Sequence, residues 1–483
     1  MSSILSAMIF IPFIGILFLM TIRGDENRIF RNSRAVRFII TASELLLCPF
    51  LLTGFDTQIS GFQFETSAPW LGAFTYHIGV DGLSAIFIAA VIVIFFLITL
   101  IDWQNRLKLP REYTIFMLWL EGMTIALLAS LDILLFALCF SGLFIPFFFL
   151  MGIWGKNEGK TINIFVLFVN SIGIILLVFG LIMLYLKLHD ASLISLAATK
   201  APLTDKELIF WSLFTSFGIS ILLFPLSAVN KINAEAPVSV VISIFTIPVM
   251  AGLFGFGRII LPLFSEQIAN YSGIIIALSA LGFLYFSLKA YSQSDLRKIF
   301  ACFAGALICI IFSGVFSLSA IAVSGSFYLF LNYFFLLSAF CVCGEIIYSR
   351  RSSYHLNGLG GLFASMPAFT KLFFLFIAAA FCMPLTGGFP ALLMLIIGFF
   401  GHFPIFSLFL SLSIVISAGY MIHTYWQVIL GKPPENKEVF VPINPKEKVI
   451  LLSCIGVIIA LGVFSHWFMA FIFPALNHTE GWL

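Results

Sequence analysis

An all-α polytopic membrane protein with about fourteen transmembrane helices is the fold this sequence predicts, and three observations predict it. Only 10% of the 483 residues are charged and 61% are hydrophobic, where a soluble domain carries about 25% charged residues. Apolar runs long enough to cross a bilayer, roughly 17–25 residues, recur along the whole chain. The loops between them alternate between rich and poor in lysine and arginine. Backbone groups in hydrocarbon find no water, so each run is predicted to close its own hydrogen bonds as a helix. Mean hydropathy is +1.12. A net charge of +3 gives no footprint for nucleic acid. The expected surroundings are the lipid bilayer.

The spans are read near residues 4–22, 37–55, 80–101, 113–129, 132–153, 162–186, 208–229, 238–261, 273–290, 299–317, 320–347, 369–391, 401–430 and 449–473. The first run, Ile4–Met20, lacks a positive segment before it and a small-residue cleavage site after it, so it reads as a retained span. Basic residues fix the orientation. Arg23, Arg28, Arg31, Arg34 and Arg37 follow span 1, Arg106, Lys108 and Arg111 follow span 3, and Lys156 and Lys160 follow span 5. Arg297 and Lys298, Arg350 and Arg351, and Lys432, Lys437, Lys446 and Lys448 continue the series after spans 9, 11 and 13. The opposite loops hold Asp56, Glu65, Asp190 and Glu266, with Lys200 and Lys206 as exceptions. A multi-pass protein of the bacterial inner (plasma) membrane, with both termini on the periplasmic side, is expected.

Two spans are interrupted. Span 7 contains Pro225, and span 12 reads Met383-Pro384-Leu385-Thr386-Gly387-Gly388-Phe389-Pro390. Proline removes a donor and clashes with the turn before it, and paired glycines loosen the helix further. Breaks at matching places suggest inverted repeats. The expected organisation is helices 1–3 (1–112), a first five-helix repeat of helices 4–8 (113–262), a second of helices 9–13 (263–431), and a C-terminal loop with helix 14 (432–483). Both breaks then fall in the fourth helix of a repeat.

Ionisable residues at mid-depth are scarce: Glu44 in span 2 and Glu121 in span 4. A carboxylate there needs a partner or a proton, and Glu121 is the stronger candidate. Asp132 reads as an acid at the start of span 5, and Glu235, in Asn233-Ala234-Glu235-Ala236-Pro237, as a cap before span 8 or, alternatively, a loop-to-channel contact. Arg258 closes span 8 and is expected to snorkel. His402 and His423 flank or enter span 13; His77, His355, His466 and His478 lie near or beyond the interfaces.

Eight cysteines, Cys48, Cys139, Cys302, Cys309, Cys341, Cys343, Cys382 and Cys454, form no C-x-x-C pair and no cluster with histidine. They read as small apolar fillers. The fifty-nine phenylalanines read as lipid-facing and interhelical packing. There is no glycine-rich phosphate loop, no nucleophile beside a base and no axial histidine pair, so no bound cofactor or metal and no catalytic centre of this chain's own is expected.

Several segments together resemble subunit M of bacterial respiratory complex I, an antiporter-like family related to the D-type subunits of multi-subunit cation/proton antiporters. They are Phe10-Ile11-Pro12-Phe13-Ile14-Gly15 with Ile22-Arg23-Gly24-Asp25; Tyr76-His77-Ile78-Gly79-Val80-Asp81-Gly82; Ile145-Pro146 with Gly152-Ile153-Trp154-Gly155; Glu235-Ala236-Pro237; Asp295-Leu296-Arg297-Lys298; Gly360-Gly361-Leu362; and Met383-Pro384 with Gly387-Gly388-Phe389. The resemblance covers nearly the whole chain. It implies fourteen helices, two inverted five-helix repeats and broken helices 7 and 12.

It also implies a row of ionisable residues that this sequence lacks. The family's span 5 glutamate is Ser141 here. Its span 7 lysine falls near Ser220, its span 8 lysine at Met250, and the histidine before E-A-P at Asn233. The histidines of spans 10 and 11 fall at Leu307 and Tyr333, and the glutamate of span 12 at Leu392. The span 4 glutamate is kept, as Glu121. A lysine relay works because burial and a carboxylate partner tune its charge; serine and tyrosine carry hydrogen bonds only, methionine and leucine neither. The proton-path candidates are therefore Glu121, Ser141, Ser220, Tyr333 and His423, with Pro225, Pro384, Gly387 and Gly388 as structural breaks. The expected function is that of a membrane-arm subunit of a proton-translocating NADH:quinone oxidoreductase, beside other antiporter-like subunits, with an impaired or altered proton channel. The alternatives are a non-conducting structural paralogue in the same arm, a cation/proton antiporter-type subunit, or a stand-alone transporter of another solute.

Overall fold

A computed structural model describes residues 2–59, 61–71, 74–103, 107–155, 159–188, 191–194, 205–223, 236–431 and 442–477. Pro225, Asn233 and Glu235 lie outside the described residues.

The chain divides into two compact units. The first spans Met1–Phe224, Glu235–Ala269 and Ala470–Leu483; the second is built mainly from Asn270–Met469. In the first unit the described helices are α1 (Ser2–Thr21), α2 (Glu26–Gly54), α3 (Gly82–Asp102), α4 (Pro110–Ala129), α5 (Ile133–Gly142), α6 (Phe144–Trp154), α7 (Gly159–Leu188), α8 (Lys206–Gly218) and α9 (Val238–Gly255). Helix α8 runs on as a π-helical turn, Ile219–Leu223, and α9 runs on through another, Phe256–Ile260, to Leu263. Helix α10 (Ser265–Tyr291) leads into the second unit, which holds α11 (Leu296–Val315), α12 (Ala320–Arg351), α13 (Pro367–Ala380), α14 (Gly388–His402), α15 (Pro404–Tyr425) and α16 (Pro445–Val463). The final helix is α17 (Ser465–Asn477).

Eleven helices among the described residues are long and apolar enough to cross a membrane, and twelve if the bent pair α16–α17 counts as one span. The sequence predicts fourteen. The two that fall short are those with interruptions: span 7, described only to Leu223, and span 12, which consists of the short helices α13 and α14. Span 12 also runs further than the expected residue 391, to His402. Span 14, expected as one straight run, is broken at Phe464.

Span 5 hinges at Leu143, between α5 and α6. Pro146 has no N–H to give the carbonyl one turn earlier, at Gly142, which accounts for the hinge.

A β-hairpin, not expected from sequence, occupies the loop before α3. Strand β1 (Gln63–Leu71) pairs antiparallel with β2 (Phe74–Val80), with Thr66 opposite Ile78 and Ala68 opposite Tyr76. It is tied to the start of α5: the Leu131 N–H donates to the His77 carbonyl at 2.9 Å. Asp132 caps α5 through the N–H groups of Leu134 and Leu135, and also accepts from the Thr75 N–H at 3.2 Å.

Burial sorts the helices. The most apolar stretch of Val238–Leu263 is 100% buried, while those of α1 and α2 are 39% and 28% buried. The outer faces of α1 and α2 present Phe10, Ile14, Leu17, Phe18, Ile39 and Leu46, suited to lipid. Their inner faces close tightly on α4. Gly15 lets α1 approach until an added Cβ would sit 2.9 Å from Ile40 and 3.1 Å from Leu118; Gly122 does the same for α4 against Phe13. Small residues at such crossings let backbones pack closely where the hydrophobic effect gives no drive.

Candidate functional site

Helix α2 turns one stripe inward: Ser33, Arg37, Thr41, Glu44, Cys48 and Leu51, spaced by threes and fours. Helix α4 presents Tyr113, Met117 and Glu121 at steps of four. The packing of α1, α2 and α4 sets these stripes facing each other and aligns a polar core in the first unit.

At mid-depth, Glu44 and Glu121 meet. Both side chains are fully buried, and their carboxyl groups lie within hydrogen-bonding reach of each other. None of their four oxygens finds an N–H or O–H donor. Two adjacent carboxylates with no cation between them cannot both stay ionised at bearable cost, so the pair holds together only with a proton between them. Glu121, for which no partner was evident in the sequence, thus has one in Glu44.

About two turns away on both helices, roughly 10–12 Å at 1.5 Å per residue, lies a charged cluster. Arg37 Nη1 pairs with Asp102 Oδ2 at 2.7 Å, with side chains 4% and 7% exposed. Tyr113 donates to the same carboxylate oxygen at 2.9 Å, and Ser239 donates to Oδ1 at 2.7 Å. The two hydroxyls are themselves 2.5 Å apart. Arg37 also stands over the Tyr113 ring, 5.7 Å from its centroid. Four helices therefore converge on one carboxylate: α2, α3, α4 and α9. The guanidinium is also felt by Glu121. Beside this cluster a cavity of about 30 Å³ is lined by Ser33, Arg34, Arg37, Asp102, Tyr113 and Thr114, among others. That is room for two or three water molecules at about 10–15 Å³ each. Arg34 closes over Trp103, 4.3 Å from the ring centroid, and donates to its carbonyl at 2.6 Å.

The remaining sequence candidates are scattered. Ser141 is partly buried and donates to the Ala137 carbonyl of its own helix at 2.7 Å. Ser220 is buried in the π-helical turn after α8. Tyr333 is buried in α12, stacked on Phe330 at 5.6 Å. His423 is exposed and shares a 2.9 Å hydrogen bond with Gln427. Met250, Leu307 and Leu392 are buried.

Arg258 does not snorkel. It pairs with Asp81 at 2.9 Å, donates to Ser84 at 2.9 Å and stands over Phe62 and Phe254. Asp81 also caps α3 through the Ser84 N–H. The carboxylate that holds this arginine inside is far away in sequence, and no local pattern around Arg258 reveals it.

In the second unit, the break in span 12 is a turn in which Cys382 and Leu385 take positive φ, 56° and 77°, unusual for residues with a Cβ. Asn332 of α12 lies against it: an added Cβ on Gly387 would come within 3.0 Å of Asn332 Oδ1 and 2.6 Å of the Leu461 side chain. Only glycine fits there. The Gly387 N–H, freed from its helix, donates to the Ile458 carbonyl at 2.9 Å. Near one end of α12, Glu345 pairs with Arg297 at 3.3 Å and Arg350 grips Glu447 at 3.0 and 2.6 Å.

A family model described as NADH:quinone oxidoreductase/Mrp antiporter, transmembrane, matches residues 130–417. NADH-quinone oxidoreductase subunit M of Rhodobacter capsulatus is 26% identical over 99% of this chain and 96% of its own length. NADH-ubiquinone oxidoreductase chain 4 of Arabidopsis thaliana is 26% identical over 96% and 94%. In fold, the chain is similar to one in respiratory complex I from Thermus thermophilus, at a TM-score of 0.88 and 20% identity over 99% of both chains. It is also similar to one in the Mrp complex from Dietzia, at 0.86 and 17% over 98% and 97%.

Proposed function

Because the chain belongs to the NADH:quinone oxidoreductase/Mrp antiporter transmembrane family, we propose that it is a membrane-arm subunit of a proton-translocating NADH:quinone oxidoreductase whose own proton path is altered. It sits beside other antiporter-like subunits in a bacterial plasma membrane, with both termini on the periplasmic side. It contributes no redox centre; electrons pass from NADH to quinone in other parts of the complex. Both kinds of relative match it nearly end to end, and sequence favours this assembly over an antiporter: the NADH-quinone oxidoreductase subunit is 26% identical, the Mrp chain 17%.

The observation that carries the altered path is the contrast within one chain. Ser141, Ser220, Met250, Leu307, Tyr333 and Leu392 occupy the row where the resemblance implies ionisable side chains, and the leucines and methionine are buried with no ionisable group of their own. Glu121 is kept and faces Glu44. A second reading, a non-conducting scaffold in the same arm, draws on the burial of Met250 and Leu392.

Proton-to-electron stoichiometry in membrane vesicles separates the two. Glu121→Gln is expected to leave NADH:quinone turnover intact while fewer protons move per electron pair. Unchanged stoichiometry would select the scaffold.

A further inference from the structure

Two buried carboxyl groups that touch, with every oxygen lacking a donor, need a hydrogen supplied from outside the protein's own N–H and O–H groups. We infer that Glu44 and Glu121 form one proton-binding site, which exchanges with water through the cavity beside Arg37 and Asp102. This rests on the proton-translocating reading above for its purpose, and names the group that would hold the proton.

The surroundings isolate the pair. On α2 the other titratable side chains facing inward are Arg37 and Cys48, and on α4 the one facing the same stripe is Tyr113. Of the elements packed against these two helices, α1, α6 and α9 carry no titratable side chain, α3 carries Asp102, α5 carries Cys139, and β2 carries Tyr76 and His77. Among the described residues of these elements Arg37 is the cation on the stripe, and Asp102 already claims it at 2.7 Å. With the arginine engaged, the buried pair has no counter-ion of its own, so it keeps at least one proton.

The route to water follows the stripe. Ser33 and Arg37 line the cavity. Thr41 lies one turn below Arg37, fully buried, its hydroxyl donating back to the Arg37 carbonyl at 3.1 Å. Glu44 lies one turn below that. A second proton, drawn from bulk and relayed by water in the cavity, leaves the pair neutral; its return to bulk by the same route restores one charge on the pair. Arg37 here is a positioning residue, holding the anionic form between visits.

Infrared difference spectra of the full chain in its native membrane test this without electron transfer. The expected result is a protonated-carboxyl C=O band that changes with pH, shifts within minutes in D2O, disappears in both Glu44→Gln and Glu121→Gln, and survives in Glu44→Asp and in the hairpin control Glu65→Gln. A band insensitive to pH and to D2O over hours would overturn the site, as would two bands that each vanish with only one of the two variants. Unchanged pumping stoichiometry in Glu121→Gln with this band behaving as expected would count against the transport reading alone, and leave the proton site standing.

Discussion

The polar core between α2 and α4 and the interior of Val238–Leu263 lie in the same unit and are both withdrawn from the surface, yet they treat charge in opposite ways. The first keeps two glutamates, an arginine and an aspartate, all nearly or fully buried. The second, the more enclosed, has no ionisable side chain before Arg258 and places Met250 where the family resemblance implies a lysine. The difference teaches that buried charge is kept or lost as a set. A buried lysine without a carboxylate is a standing cost, and methionine at position 250 carries none. Arg37 stays because Asp102, Tyr113 and Ser239 stay with it.

The largest test of that comparison removes one member of the kept set. Asp102→Ala strands the buried Arg37 without its carboxylate and takes away the acceptor shared by Tyr113 and Ser239; the expected loss is about 3–5 kcal/mol, read as a fall in thermal unfolding temperature of the solubilised protein. A change near zero would mean that the cluster is hydrated and the contrast with α9 false. Next, Met250→Lys puts back a cation without its partners and is expected to cost about 2.5–3.5 kcal/mol, measured as lost stability and lower membrane abundance. Should it be tolerated freely, a carboxylate must reach it. The smallest effect is expected from Glu44→Gln, within about 1 kcal/mol, since an amide facing Glu121 keeps a hydrogen bond in place of the shared proton. If it instead costs as much as Asp102→Ala, the two carboxyls were both ionised around a bound cation.

Hydropathy placed the helices because a run of apolar residues is local information, and so were Pro384, Gly387 and Gly388, whose effect on a helix is intrinsic. What escaped was pairing at a distance. Arg258 at a helix end looks like a snorkelling residue until Asp81 is folded against it, and Glu44 looks like a stray acid until α4 brings Glu121 to it. Their helical spacing held a hint: Arg37, Thr41 and Glu44 share one face of α2, which is a signature of an inward polar stripe. The hairpin escaped for another reason. Its strands carry proline, glycine and charge at irregular intervals, so the two-residue alternation that marks a strand is blurred, and its hold comes from the start of α5 rather than from its own sequence.

The inward stripe of α2 also bears on how the protein is made. The chain is synthesised from its N-terminus, so Arg37 and Glu44 reach the membrane while Asp102 and Glu121 are still unmade. Alone in lipid, each would carry a penalty of about 2.5–3.5 kcal/mol if it sat at the centre of the helix. Helix α2 is therefore costlier to hold in lipid alone than with α3 and α4 beside it, and a lesion in this buried set is expected to show first in biogenesis, as lower membrane abundance.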